Sequence, residues 1–280
     1  MKIIEPKVEF LSELNISPES HIARCARVCY GKEYKEPNQE TDEKIVEGLI
    51  KRGHLSMLRH ASIYAIHIDC DVTPQYITNY MYNNSYWNFY GKHGEFASTN
   101  LQEADKCKDM LKQCNIIDNK TFLEKCTEIP VLFRLYRLTF CITTQISTSR
   151  ELNRVSPNNI AERSTRYCSF KDGLEICKPW WYDETTLAHD MYKANMEYLE
   201  TAYKYLLGTG MKPEDARGVL PLDTATKVIY TYSIREWQHI LDLRLYDKTG
   251  KAHPNCHVVM QMVKDQINDF TKEHNINYQV

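Results

Sequence analysis

Arginines, carboxylates and hydroxyls crowd into two short runs of this chain, Ser149-Arg150-Glu151-Leu152-Asn153-Arg154 and Glu162-Arg163-Ser164-Thr165-Arg166-Tyr167. Arg150 and Arg154 are four apart and share a face if the segment is helical. Ser164 and Arg166 are two apart and point the same way if theirs is extended. Guanidinium forks match phosphate oxygens bidentately, so such a cluster suits a phosphorylated ligand. Taken alone it reads as a solvated charged face, because exposed Arg-Glu pairs are common and weak.

The elements that must hold these residues are a mixture. Ser17-Pro18 predicts a helix start, with Ser17 as N-cap and Pro18 in the first turn; Ile22, Ala23, Ala26 and Val28 form its apolar stripe. Thr41-Asp42-Glu43 opens a second helix with Ile45, Leu49 and Ile50 inward, ended by Gly53. Ala61 to Ile68 reads as a strand, 70–100 as an elaborated loop, and 102–114 and 119–128 as charged helices. Val131 to Thr144 is rich in β-branched and aromatic residues and predicts a second strand. The segment 145–155 is helical up to the bar at Pro157. Residues 186–207 give the longest helical pattern, with Leu187, Met191, Ala194, Met196, Tyr198 and Leu199 as apolar positions. Pro213 opens a further helix, Thr226 to Tyr232 alternates as a strand, and 234–243 and 254–272 are helices. Helices and strands mix without a βαβ period, so the fold class is α+β, with residues 1–280 as one domain and an insertion at about 70–130.

The bulk numbers narrow the function. The chain has 280 residues, 42% hydrophobic, and a formal charge of -2. A general nucleic-acid binder carries a basic excess, so no nucleic-acid partner is expected and an RNA-binding module ranks low. No apolar run reaches the roughly 18 residues that span a bilayer, and the start lacks a secretory pattern. A cytoplasmic protein with no membrane partner is the expectation. The 10 cysteines include no Cys-x-x-Cys and read as reduced thiols. His54, His60 and His253 lack ligand spacing, so no metal is assigned. Neither Gly-x-Gly-x-x-Gly nor a phosphate loop of the Walker type occurs. Tyr80, Tyr82, Tyr86, Trp87, Phe89 and Tyr90 form an aromatic cluster that suits either packing or stacking on a ring.

Four segments in order give the chain a more specific likeness. Arg154-Val155-Ser156, a spacer, then Glu162-Arg163-Ser164-Thr165-Arg166-Tyr167 is similar to the Arg-His-Arg…Glu-x-Ser-x-Arg-Tyr signature of the flavin-dependent thymidylate synthases. Gly53-His54-Leu55-Ser56 through His60, Ala216-Arg217-Gly218-Val219-Leu220-Pro221, and Ser233-Ile234-Arg235-Glu236-Trp237-Gln238-His239 with Leu243-Arg244 resemble that family's other segments, and Ala252-His253-Pro254 fits as well. The resemblance extends over most of the chain. It implies an α+β subunit in a homotetramer with shared active sites. It also implies conversion of dUMP to dTMP with FAD as cofactor, and NADPH and methylenetetrahydrofolate as co-substrates, without a cysteine nucleophile.

Position by position, the resemblance assigns Glu151, Arg154, Glu162, Arg163, Ser164, Thr165, Arg166, Arg217 and Arg244 to the nucleotide, with Arg244 as the catalytic group that polarises the uracil. It assigns Ser56, Arg154, Glu162, Ser233, Arg235 and His239 to the flavin. The chain departs from the family where Val155-Ser156 replace His-Arg, Arg59 replaces a glutamate and Ser233 replaces Asn. Asn158, Asn159 and Arg59 are candidates for the lost contacts. Two alternatives stay open: a different modification of a pyrimidine nucleotide, such as hydroxymethylation, and nucleotide binding without catalysis.

Overall fold

The computed structural model describes residues 1–32, 38–66, 79, 82–91, 95–112, 114–155 and 159–280. In chain order the strands are β1 (Lys2–Ile4), β2 (Lys7–Phe10), β3 (Ser62–Ile66), β4 (Asn88–Tyr90), β5 (Phe96–Asn100), β6 (Asn115–Ile117), β7 (Arg137–Gln145), β8 (Ile160–Glu162), β9 (Glu175–Cys177) and β10 (Ala225–Ser233). The helices are α1 (Pro18–Cys29), α2 (Gln39–Lys51), α3 (Leu101–Lys106), α4 (Lys108–Leu111), α5 (Asn119–Glu128), α6 (Ile146–Leu152), α7 (Leu187–Gly208), α8 (Pro213–Ala216), α9 (Ile234–Arg244) and α10 (Pro254–Glu273).

One antiparallel sheet runs β2-β7-β10-β8 and a second runs β4-β5-β3-β6; β1 and β9 pair in parallel. With helices packed beside largely antiparallel sheets, the α+β expectation holds. The longest pairing aligns β7 and β10 from Arg137↔Ser233 to Gln145↔Ala225. Both strands are long and β-branched, and the side chains of each alternate between two different environments. Phe140, Ile142, Val228 and Tyr230 enter the main core with Trp237 of α9 and Val259, Val263, Ile267 and Phe270 of α10. In α10 the spacing 256, 259, 260, 263, 267 and 270 is one apolar face of a helix.

The other face of the same sheet carries a buried polar layer. His21 Nε2 meets Thr139 Oγ1 at 3.1 Å, Thr139 meets Thr231 at 2.8 Å, and Thr231 Oγ1 meets His60 Nδ1 at 2.8 Å. Arg137 donates to the carbonyls of Arg59 and Thr231. Glu13 accepts from both the amide and the hydroxyl of Ser62. Burial pushes His60 down to about 3 and His21 down as well, since neither can carry charge cheaply there.

Several expectations hold. Ser17 caps α1 with Pro18 first, and helices occupy the anticipated stretches near 119–128, 186–207, 234–243 and 254–272. Others need correction. Residues Pro130–Leu135 form a 3₁₀ turn rather than strand, because Pro130 cannot join a ladder. Helix α2 begins at Gln39, capped by Asn38, and buries Val46 and Leu49 while Ile50 stays exposed. The end of the 70–100 loop contains β4 and β5. Within the aromatic cluster, Trp87 stacks on Phe89 and packs with Ala65, Ala97 and Cys107, a small core; Tyr80 lies outside the described residues. Among the described residues no helix is long and apolar enough to cross a membrane.

Candidate active site

Strand β7 runs straight into α6, and the turn after α6 carries Arg154. These elements and α9 wall a cleft of about 650 Å³ lined by Arg150, Glu151, Arg154, Leu243, Arg244, Thr249, Gly250 and Lys251. Glu151 ties its walls together. Its carbonyl accepts from Arg244 Nη2 at 3.2 Å, and its carboxylate accepts from the amide of His253, the N-cap of α10, at 3.3 Å. Burial first and the Glu151 carboxylate next push the Cys256 thiol up to about 12, so it stays protonated. Arg244 Nε is buried without a partner among the described residues. An unmatched guanidinium N–H costs free energy until an acceptor arrives, so it suits a site completed by a ligand.

Glu162, at the end of β8, is a hub. Its carboxylate accepts from Ser149 Oγ (2.6 Å), Asn153 Nδ2 (3.1 Å) and Thr226 Oγ1 (3.1 Å), and Asn153 in turn accepts from Tyr230. This fixes α6 against β8 and β10, and so fixes the azimuth of Arg150 and Arg154. The loop that follows hangs on α1, through Ser164 N donating to the Cys29 carbonyl. On that loop Thr165 Oγ1 accepts from Arg217 at 3.1 Å, and Arg166 lies 3.5 Å from Glu214, whose own carbonyl accepts from Arg217. Arg166 and Arg217, both exposed, therefore form a second cationic group, loosely tied through Thr165 and Glu214.

Arg235 and His239 are four apart on α9 and open into another cleft of about 360 Å³, with Arg134, Gln238, Asp242, Tyr246 and Lys248. Arg244 sits nine residues past Arg235, which is half a turn of azimuth at about 100° per residue, so it faces the opposite side. Ser56 is exposed on the 3₁₀ turn Leu55–His60.

The structure thus gathers Glu151, Arg154 and Arg244 in one cleft and Ser164, Thr165, Arg166 and Arg217 around one loop, with Glu162 bracing the first group. It does not gather everything. Arg163 turns aside, pairs with Glu175 at 3.6 Å and lies over the Phe170 ring. Ser233 is fully buried; its hydroxyl accepts from Glu236 N and it caps α9, so it reaches neither cleft. Glu162 is occupied by three neutral donors rather than open to a flavin. Val155 is a core residue, which explains how an aliphatic side chain is accommodated at that position. Ser156, Pro157 and Asn158 lie outside the described residues. Asn159 is buried with its side-chain amide unpartnered among the described residues. Arg59 bonds Gln102 at 2.6 Å and covers the Tyr86 ring. Sequence reasoning missed Lys251, Arg134 and Lys248; only Lys251, next to Ala252-His253-Pro254, carried a signal.

The profile of the thymidylate synthase complementing protein family, Thy1, matches residues 11–89 and 90–271. The flavin-dependent thymidylate synthase of Geobacter sulfurreducens is 31% identical over 103 residues, 36% of this chain and 44% of that protein. That of Halobacterium salinarum is 41% identical over 64 residues, 22% of this chain and 26% of its own length. A probable flavin-dependent thymidylate synthase of Paramecium bursaria Chlorella virus 1 is 34% identical over 74 residues, 26% of this chain and 31% of its own length. The aligned stretches thus span less than half of these relatives. The crystal structure of a UMP/dUMP methylase from Streptomyces cacaoi bound with 5-Br dUMP covers 96% of this chain and 93% of that one, at 16% identity and a TM-score of 0.45.

Proposed function

The chain belongs to the thymidylate synthase complementing protein family, and from that membership we propose that it is an enzyme that methylates dUMP at uracil C5 to give dTMP. The observation that carries the reading is the cleft in which Arg244, with its unmatched Nε, stands beside Arg154 and Glu151. A guanidinium against the ring carbonyls and N3 stabilises the negative charge that develops as C5 attacks an electrophilic carbon. The exposed pair Arg166 and Arg217, with Ser164 and Thr165, has the donor set for a nucleotide phosphate.

The second cleft fits a flavin by the chemistry of its donors: Arg134, Arg235, His239 and Lys248 offer cations and N–H groups to a diphosphate. Ser56, exposed on its own 3₁₀ turn, is not among the residues that line it. FAD, when bound, supplies the hydride that takes a methylene from methylenetetrahydrofolate to a methyl, with NADPH as the reductant of the flavin. Arg235 and Arg244 lie on opposite sides of α9. A flavin held by Arg235 and a uracil held by Arg244 therefore start from opposite sides of one copy, and a site shared between copies, as in the homotetramer that the family resemblance implies, would bring them together. Ser233 is left out of the flavin site.

Mass spectrometry of the nucleotide after incubation of dUMP with the protein, FAD, NADPH and methylenetetrahydrofolate tests the reaction. A gain of CH₂ supports methylation; a gain of CH₂O means hydroxymethylation, and no gain with dUMP still bound means a binding protein. Either of the last two outcomes overturns the reading.

A further inference from the structure

Helix α7 has two apolar stripes on opposite sides. His189, Met196 and Tyr203 face inward, with Tyr192 and Leu199 half-buried beside them, against Phe170, Leu174, Ile176 and Ala216. The outer stripe reads Leu187, Met191, Ala194, Tyr198, Thr201, Tyr205. Its steps are four, three, four, three and four, the a/d spacing of a coiled-coil seam. Leu187 is 78% exposed, Met191 61%, Tyr198 71% and Tyr205 72%. Among the described residues none of these four side chains joins a core cluster, and a row of large apolar groups left in water marks an interface.

We propose that this seam pairs antiparallel with α7 of a second copy of this chain, about a two-fold axis between Ala194 and Tyr198. The register follows from side-chain size. Antiparallel a-to-d packing sets Tyr198 against the partner's Ala194, Met191 against the partner's Thr201 and Leu187 against the partner's Tyr205, so large groups meet small ones in two of three layers. A parallel pair would set Tyr198 on the partner's Tyr198.

Charge selects the same arrangement. Asp190 and Lys204 flank one edge of the seam, each one residue before a seam position, and the two-fold axis brings Asp190 to the partner's Lys204 twice. Within one subunit Lys204 lies 3.0 Å from Glu200 and Asp190 touches His189, and their side chains remain 45% and 72% exposed. Glu197 falls beside its own copy at the axis, one like-charge contact against two of opposite sign. The other edge, Ala188, Asn195 and Ala202, is short enough to let the two helices approach. The contact is isologous, as closed two-fold assembly requires.

Light scattering and sedimentation of the full chain test the pairing, and because they read mass they do not depend on turnover. Met191→Glu and Tyr198→Glu are expected to halve the particle mass while the far-ultraviolet circular dichroism stays that of the parent. Asp190→Lys and Lys204→Glu are each expected to weaken association, and mixing the two variants is expected to restore it, since the mixed pair has both charge contacts satisfied. Glu197→Gln is expected to strengthen it. A parent that is monomeric, glutamate variants with the parent's mass, or a mixture no better associated than its components overturns the proposal.

Discussion

The two faces of helix α9 set the same residue type in different surroundings. On one face Arg244 is half-buried, held by the Glu151 carbonyl, with one N–H left for a ligand. On the other, Arg235 is exposed and opens with His239 into a basic cleft. A desolvated, fixed cation acts strongly on nearby charge, because neither water nor side-chain motion screens it. An exposed one contributes mainly to binding, and at a modest magnitude. The difference teaches that position relative to the core, rather than residue identity, separates a group suited to catalysis from one suited to holding a ligand.

The largest effect expected is on the face that carries Arg244. Arg244→Ala should lower kcat by at least about a hundredfold while leaving much of the nucleotide affinity, as read by steady-state kinetics beside calorimetry with dUMP. Turnover near that of the parent would erase the distinction between the faces.

Acid should act next, through the polar layer that reaches α9 by way of Arg137 and Glu236, which lie 3.9 Å apart. His60 and His21 are held neutral in the fold, their protonation depressed below the usual 6.5. The unfolded chain therefore binds more protons as the pH falls below about 6.5, and stability is lost from there downward, for His60 as far as about 3, by up to about 1.4 kcal/mol per pH unit for each histidine. Burial raises Glu13, which works in the opposite sense over the carboxylate range. Urea melts at descending pH should show the loss beginning near 6.5; a flat response down to pH 5 would show that these histidines do not set stability.

The exposed arginines should give smaller, pure binding effects. Arg217→Ala is expected to weaken dUMP binding by about 1.5–3 kcal/mol and Arg235→Ala to weaken flavin uptake by a similar or lesser amount, each with kcat retained at saturation. Titrations that show Arg235→Ala affecting nucleotide alone would merge the two clefts. The smallest effect belongs to Ser233. Its alanine variant should cost about 1 kcal/mol of stability in chemical denaturation, the usual loss of an N-cap, and leave flavin affinity unchanged.

Much of this was legible from residue order. The capping signals, the apolar period of α10 and the β-branched strands β7 and β10 are local or short-range patterns, and each one marks its element directly. The short strands β1, β8 and β9 carried no such pattern, because three residues are too few to establish a period and their pairing is set by neighbours far away in the chain. The family signature likewise marked which arginines to examine. It could not show that Glu162 spends its carboxylate on Ser149, Asn153 and Thr226, or that Ser233 is sealed beneath α9.

Sequence by itself determined the inventory: which side chains can carry charge, where helices start, and which positions are apolar, since those follow from residue type and nearest neighbours. Only the tertiary structure decided which face each took. Met196 and Tyr198 are two residues apart on α7, yet one is in the core and the other in water. Burial is a property of what packs against a residue, and that is fixed by contacts across the whole chain.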